Sequence, residues 1–213
     1  MQTLFVSPAA RTAVAIAVGA GALFAAATAH AAVVSSGPVN LAVPLSVNGL
    51  YLNVLTGANN LPPPGSAGTT VPGWDINPYG TSGLSFFSAA PAGSSGYAGN
   101  LGVISNLAPG SLVGPASTFI TAISTPTALT WNLNSSNNFV GFRFLNEGGG
   151  TVHYGYFQLA IGANTLDRTL VSYAFESTPL TAIAVVPEPG TYALMSLGLL
   201  AVVAARRRMQ KKD

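Results

Sequence analysis

The chain has 213 residues, 49% of them apolar and only 7% charged, with a formal charge of +2 and no cysteine. That length suits one domain or two small ones, and the composition excludes a disulfide scaffold, a cysteine-ligated metal site and a charge-rich disordered chain. Five of the eight bases lie at 206–212, whereas Ala32–Val186 holds only Arg143 and Arg168 against Asp75, Glu147, Asp167 and Glu176, so no basic patch is left for a nucleic acid.

The first element is Arg11 followed by an uncharged run from Thr12 to Ala27 and then Ala29-His30-Ala31. A base, an apolar stretch and a small-x-small site in that order predict a secretory signal peptide over residues 1–31, cut by signal peptidase after Ala31. His30 would leave with it. The run has no polar face, which argues against an amphipathic helix of the mature domain.

Residues 32–185 read as an all-β exported domain. Apolar side chains alternate at Leu50, Leu52 and Val54, at Leu129, Trp131 and Leu133, and at Val140, Phe142 and Phe144. They alternate again at Phe157, Leu159 and Ile161, and at Val171, Tyr173 and Phe175. A period of two with turn residues between the runs predicts half-buried strands. Many short strands point to a β-sandwich or a jelly-roll-like barrel. Asn146-Glu147-Gly148-Gly149-Gly150 predicts a hairpin turn, and Asn48-Gly49 another turn.

Leu61–Gly99 is richer in loops. Pro62-Pro63-Pro64-Gly65 predicts an extended surface strip. Trp74, Tyr79, Tyr97 and Trp131 raise the prospect of sugar stacking, since flat apolar rings match pyranose faces. Trp74 and Tyr79 are the candidate sugar contacts because they lie in the loop-rich segment. Trp131 alternates with leucines and is assigned to the core.

Residues 186–213 form a last unit. Pro187-Glu188-Pro189-Gly190 is followed by an uncharged run, Thr191–Ala205, and then by Arg206-Arg207-Arg208 and Lys211-Lys212. The run is shorter than the ~20 residues of an ordinary membrane span, but flanking arginines can snorkel and the bilayer can thin. A basic cluster beyond it predicts a cytoplasmic end, with Arg206, Arg207 and Arg208 as the anchor. A cleaved signal at one end and this tail at the other place the domain between them outside the inner membrane.

Pro187, Glu188 and Pro189, the apolar run and the arginine cluster together resemble the PEP-CTERM sorting signal of Gram-negative bacteria. That resemblance implies recognition by exosortase, an integral-membrane transpeptidase-like enzyme. It also implies loss of the tail, a transient stay in the inner membrane and delivery to the cell surface or the extracellular polysaccharide matrix. The body is also similar to the C-terminal half of PEP-CTERM passenger domains, through Gly141-Phe142-Arg143-Phe144, Tyr154-Gly155-Tyr156 and Tyr173-Ala174-Phe175-Glu176. The acidic Asp/Gly stretch of many such passengers is missing, which speaks against calcium.

Few residues carry chemistry. Once the signal peptide is removed, His153 is the one histidine, and a histidine metal site needs further strong ligands nearby. Four scattered acids do not have the spacing of a calcium loop. No metal and no cofactor are therefore expected. A hydrolase would use His153 as base with Asp167 or Glu147 as orienter, but no Gly-x-Ser-x-Gly elbow marks a nucleophile. Otherwise His153 faces solvent or packs beside Tyr154. Arg143 reads as a clamp for an acidic sugar or as the partner of Glu147 or Glu176. The expectation is a non-enzymatic exported protein. A carbohydrate-binding module is the alternative reading, and a hydrolase around His153 a weaker one.

Overall fold

The structure is a computed structural model and describes residues 32–61, 70–91, 93–121 and 131–186. The predicted signal peptide with Ala29 and Ala31, the proline run at 62–64, Leu129 and everything from Pro187 onward lie outside the described residues. Among the described residues there are strands and no helix, so the class is all-β.

The strands are β1 (Val33–Ser35), β2 (Leu41–Ala42), β3 (Ile76–Tyr79), β4 (Ser85–Ser88), β5 (Gly96–Asn100) and β6 (Val103–Ile104). They continue with β7 (Leu112–Val113), β8 (Phe119–Ile120), β9 (Ser135–Asn146), β10 (Thr151–Ile161), β11 (Arg168–Glu176) and β12 (Ile183–Ala184). Eight of them share one sheet in the order β1-β11-β10-β9-β5-β6, with β2 on β11 and β8 on β5. Two small sheets, β3-β4 and β7-β12, complete the pairings. The sheets are thus unequal, one large and two small, where the sequence suggested a sandwich or jelly roll.

Alternation explains why the large sheet is covered on both faces. Val140, Phe142 and Phe144 of β9 point to one side with Phe157, Leu159 and Ile161 of β10 and Tyr173 and Phe175 of β11. Leu50, Leu52, Val54, Ile76 and Phe86 close over this first face. Phe139, Tyr154, Tyr156 and Ala174 point the other way and meet Val113, Ile183 and Val185. The second face is therefore roofed by β7 and β12. Gly141 lets that roof approach, because a Cβ there would stand 2.7 Å from Val113 Cγ2.

The Asn146–Gly150 hairpin forms as expected, with Thr151 opposite Asn146 and Gly150 at φ 62°. Three strand expectations change. Leu50–Val54 is buried on the predicted side, yet it pairs only through bridges from Leu52 to Asn59 and Ile76. Leu133 does not continue a strand with Trp131: it is 42% exposed in a turn, and Asn134 after it has a φ of 52°. Val171 leaves the Tyr173–Phe175 face because the register slips between Gln158 and Leu159, pairing Ser172 with the first and Leu170 with the second. Val171 is the extra residue of this bulge, and Leu170 takes the core position.

Candidate functional site

The hairpin β3-β4 carries the most conspicuous surface feature. Its outer side gathers Trp74, Phe87, Tyr51 and Tyr79. The rings of Trp74 and Phe87 are nearly parallel, 24° apart with centroids at 5.7 Å. Tyr51 meets Trp74 edge-on at 4.9 Å. Phe87 is 40% exposed, and Trp74, Tyr51 and Tyr79 are half-buried. Phe87 is apolar and faces outward because its neighbours Phe86 and Ser88 point inward.

Two depressions share Phe87 as a wall. One, of about 200 Å³, is lined by Val47, Tyr51, Asn77, Tyr79 and Phe87. The other, of about 310 Å³, is lined by Trp74, Phe87, Ser88, Ala89, Ala90 and Thr121. Among the described residues, neither has a charged lining side chain. Apolar rings with a few amides and hydroxyls suit an uncharged, flat-faced ligand.

The hairpin is held from behind by Tyr97 of β5. Its hydroxyl accepts from the Asn77 amide at 2.8 Å and donates to the Phe87 carbonyl at 2.8 Å. Tyr97 is 1% exposed, and burial pushes its hydroxyl pKa far up, so it stays a donor. It is thus a pin under the surface and not one of the exposed rings. Gly49 supports the same edge: it sits at φ 60° with its amide on Ser46 Oγ at 3.0 Å, and a Cβ would run into Pro78 and Tyr79. The Asn48-Gly49 turn thereby lies against β3.

Asp75, next to Trp74, is 4% exposed and accepts from the Val54 amide at 2.8 Å. Burial, with a contribution from the charge of Glu147, raises its carboxyl to about 7. The structure thus brings Asp75 and Glu147 into electrostatic reach, although the described residues contain no group of three or more acidic, histidine or cysteine side chains placed to hold a metal.

His153 does not face solvent, nor does it pack beside Tyr154. It is 4% exposed and tilts against Phe144 at 5.5 Å, while Tyr154 points to the opposite face. Nδ1 donates to the Glu176 carbonyl at 2.9 Å, since a carbonyl can only accept, and Nε2 shares a hydrogen bond with Thr151 Oγ1 at 2.9 Å. Both nitrogens are occupied by structural partners, and Asp167 and Glu147 are not among them. Arg143 likewise has other partners than those expected. Its Nε donates to the Ser95 carbonyl at 3.2 Å and its guanidinium lies 4.8 Å from the Phe119 ring centre.

Sequence reasoning missed Arg168. It is 3% exposed and donates to four carbonyls, of Gly83 at 2.6 Å, Gly80 at 2.5 Å, Pro44 at 3.1 Å and Thr165 at 3.2 Å. Burial lowers its pKa. The Gly80–Gly83 turn that links β3 to β4 is thereby tied to β11. Sequence reasoning also missed Phe87 as the partner of Trp74. The alternation of Ser85-Phe86-Phe87-Ser88 was the signal available, since it puts one of two adjacent phenylalanines outside.

The chain emerges from the second face at β12. Val185 is 1% exposed, its amide donates to Ser111, and Tyr156 donates to the Val186 carbonyl at 2.7 Å. Residues 185–208 match the family model of the PEP-CTERM protein-sorting motif. The chain carries a PEP-CTERM sorting signal. The matched range contains Pro187, Glu188 and Pro189 and runs through Arg206, Arg207 and Arg208. A PEP-CTERM signal marks an exported protein targeted to exosortase and sorted to the cell surface in Gram-negative bacteria. No curated protein and no solved structure matches the chain.

Proposed function

We propose that this is a non-enzymatic protein of the cell surface or exopolysaccharide matrix, released from a transient membrane-bound form by exosortase. The PEP-CTERM match at 185–208 carries this reading. The signal peptide at 1–31 starts export and is cut after Ala31. Thr191–Ala205 halts it, and Arg206–Arg208 hold the tail on the cytoplasmic side. Pro187-Glu188-Pro189 then marks the place of processing. Expression in a Gram-negative host with and without its exosortase tests the step. The chain should stay in the membrane fraction at full mass without the enzyme, and equal surface release in both hosts would reject the reading.

The β3-β4 surface favours a second property, contact with extracellular polysaccharide. Trp74 and Phe87 offer near-parallel rings beside two uncharged depressions. A neutral polysaccharide suits them better than an acidic one, since among the described residues no cation lines either depression. Affinity electrophoresis through gels containing the host's matrix polysaccharide is the test. The affinity read from retardation should fall about fivefold in Trp74→Ala, since one stacked ring contributes on the order of 1 kcal/mol. Equal retardation of wild type and variant would end the proposal.

A further inference from the structure

The family match begins at Val185, inside the folded body. The Val185 amide donates to the Ser111 carbonyl at 2.8 Å and its own carbonyl accepts from the Gly110 amide at 2.8 Å. The Val186 carbonyl accepts from Tyr156 at 2.7 Å. Just upstream, β12 pairs with β7 at Ile183–Val113 and Ala184–Leu112, and both Ile183 and Val113 are fully enclosed. Both main-chain groups of Val185 and the carbonyl of Val186, just before Pro187, are thus already used by the body.

A processing enzyme that holds its substrate as an extended strand needs free main-chain groups on both sides of the bond it breaks. To use Ile183–Val186 in that way it would have to strip β12 from β7 and uncover Ile183, Val185 and the ring of Tyr156. We propose that the body sets the upstream limit of processing. Tyr156 and β7 hold the chain as far as Val186, the enzyme reaches only the residues beyond that point, and β12 stays seated in the mature protein. Tyr156 is a positioning residue in this scheme. The broken amide lies beyond Val186. Its carbonyl carbon passes to the enzyme's nucleophile and then to water or an amine, and the released nitrogen takes up the proton and leaves with the tail.

This inference rests on the exosortase reading above. The test uses the full chain expressed in a Gram-negative host that has its exosortase, with the surface form recovered for mass spectrometry and hydrogen exchange. The C-terminal residue should be Pro187 or a later one, and the Val185 amide should be protected from exchange. Tyr156→Phe should speed that exchange about fivefold, as expected for the loss of one hydrogen bond. A mature end at or before Val186, or exchange unaffected by Tyr156→Phe, would overturn the inference while leaving exosortase processing intact. Full-length chain at the surface would instead remove the processing reading, and this inference with it.

Discussion

The hydroxyl of Tyr97 donates to the carbonyl of Phe87 across 2.8 Å, from β5 beneath to the exposed hairpin above. The same oxygen accepts from Asn77, so one buried group joins both strands of the hairpin to the large sheet. The aromatic surface therefore depends on a residue that no ligand would touch. Tyr97→Phe keeps the ring and its packing on Phe86 at 5.3 Å but strands the Asn77 amide. The expected cost is about 1–3 kcal/mol, read from the urea midpoint. A change in the emission of Trp74 should accompany it, and an unchanged midpoint would show that the hairpin is held by packing alone.

Asp75 predicts a dependence on pH. Its carboxyl titrates near 7 in the folded protein against 3.8 ordinarily. Between those values the folded state keeps a proton that the unfolded chain has released. Stability is then full below about pH 4, falls as pH rises towards 7, and levels off above it. Asp75→Asn retains an oxygen for the Val54 amide and should flatten this slope, measured as thermal midpoint between pH 4 and 8. A wild-type midpoint that climbs across this range would contradict the assignment.

Arg168 offers a separate check on the same hairpin. Its guanidinium bridges Gly80, Gly83, Pro44 and Thr165, which a single ammonium cannot do. Arg168→Lys should cost about 2 kcal/mol and Arg168→Met more, since buried carbonyls lose their donors. Urea unfolding followed by circular dichroism distinguishes this from a harmless surface exchange, for which both midpoints would match the wild type.

The strands that could be read in advance are those where alternation runs unbroken. Val140-Phe142-Phe144 announce their own buried side because each lies opposite a regular partner on β10, and Phe157-Leu159-Ile161 keep theirs because the register slips beside them leave the alternation of β10 itself intact. Val171 misleads because a bulge adds one residue, and nothing local distinguishes an extra valine from a paired one. Leu133 misleads because Asn138, wholly buried, bonds to both the amide and the carbonyl of Asn132 and turns the chain there. Arg168 and its carbonyl partners at Gly83, Gly80 and Pro44 are 85, 88 and 124 residues apart, a separation that no local pattern spans. Trp74 could be singled out from its loop-rich setting, but its stacking on Phe87 needed the hairpin. The sorting signal was the most legible feature, because Pro187-Glu188-Pro189, the apolar run and the arginines are contiguous and need no tertiary partner to be recognised.

The claim that joins these parts is that the C-terminal signal, and not the body, decides where the protein goes. Quantifying the protein in surface, membrane and soluble fractions of one Gram-negative host tests it directly, for the wild type, for Glu188→Ala and for a chain lacking residues 187–213. The account predicts that the surface fraction collapses in both variants, with Glu188→Ala retained in the membrane and the tail-less chain recovered as soluble exported protein. Surface fractions equal to the wild type in both would contradict it.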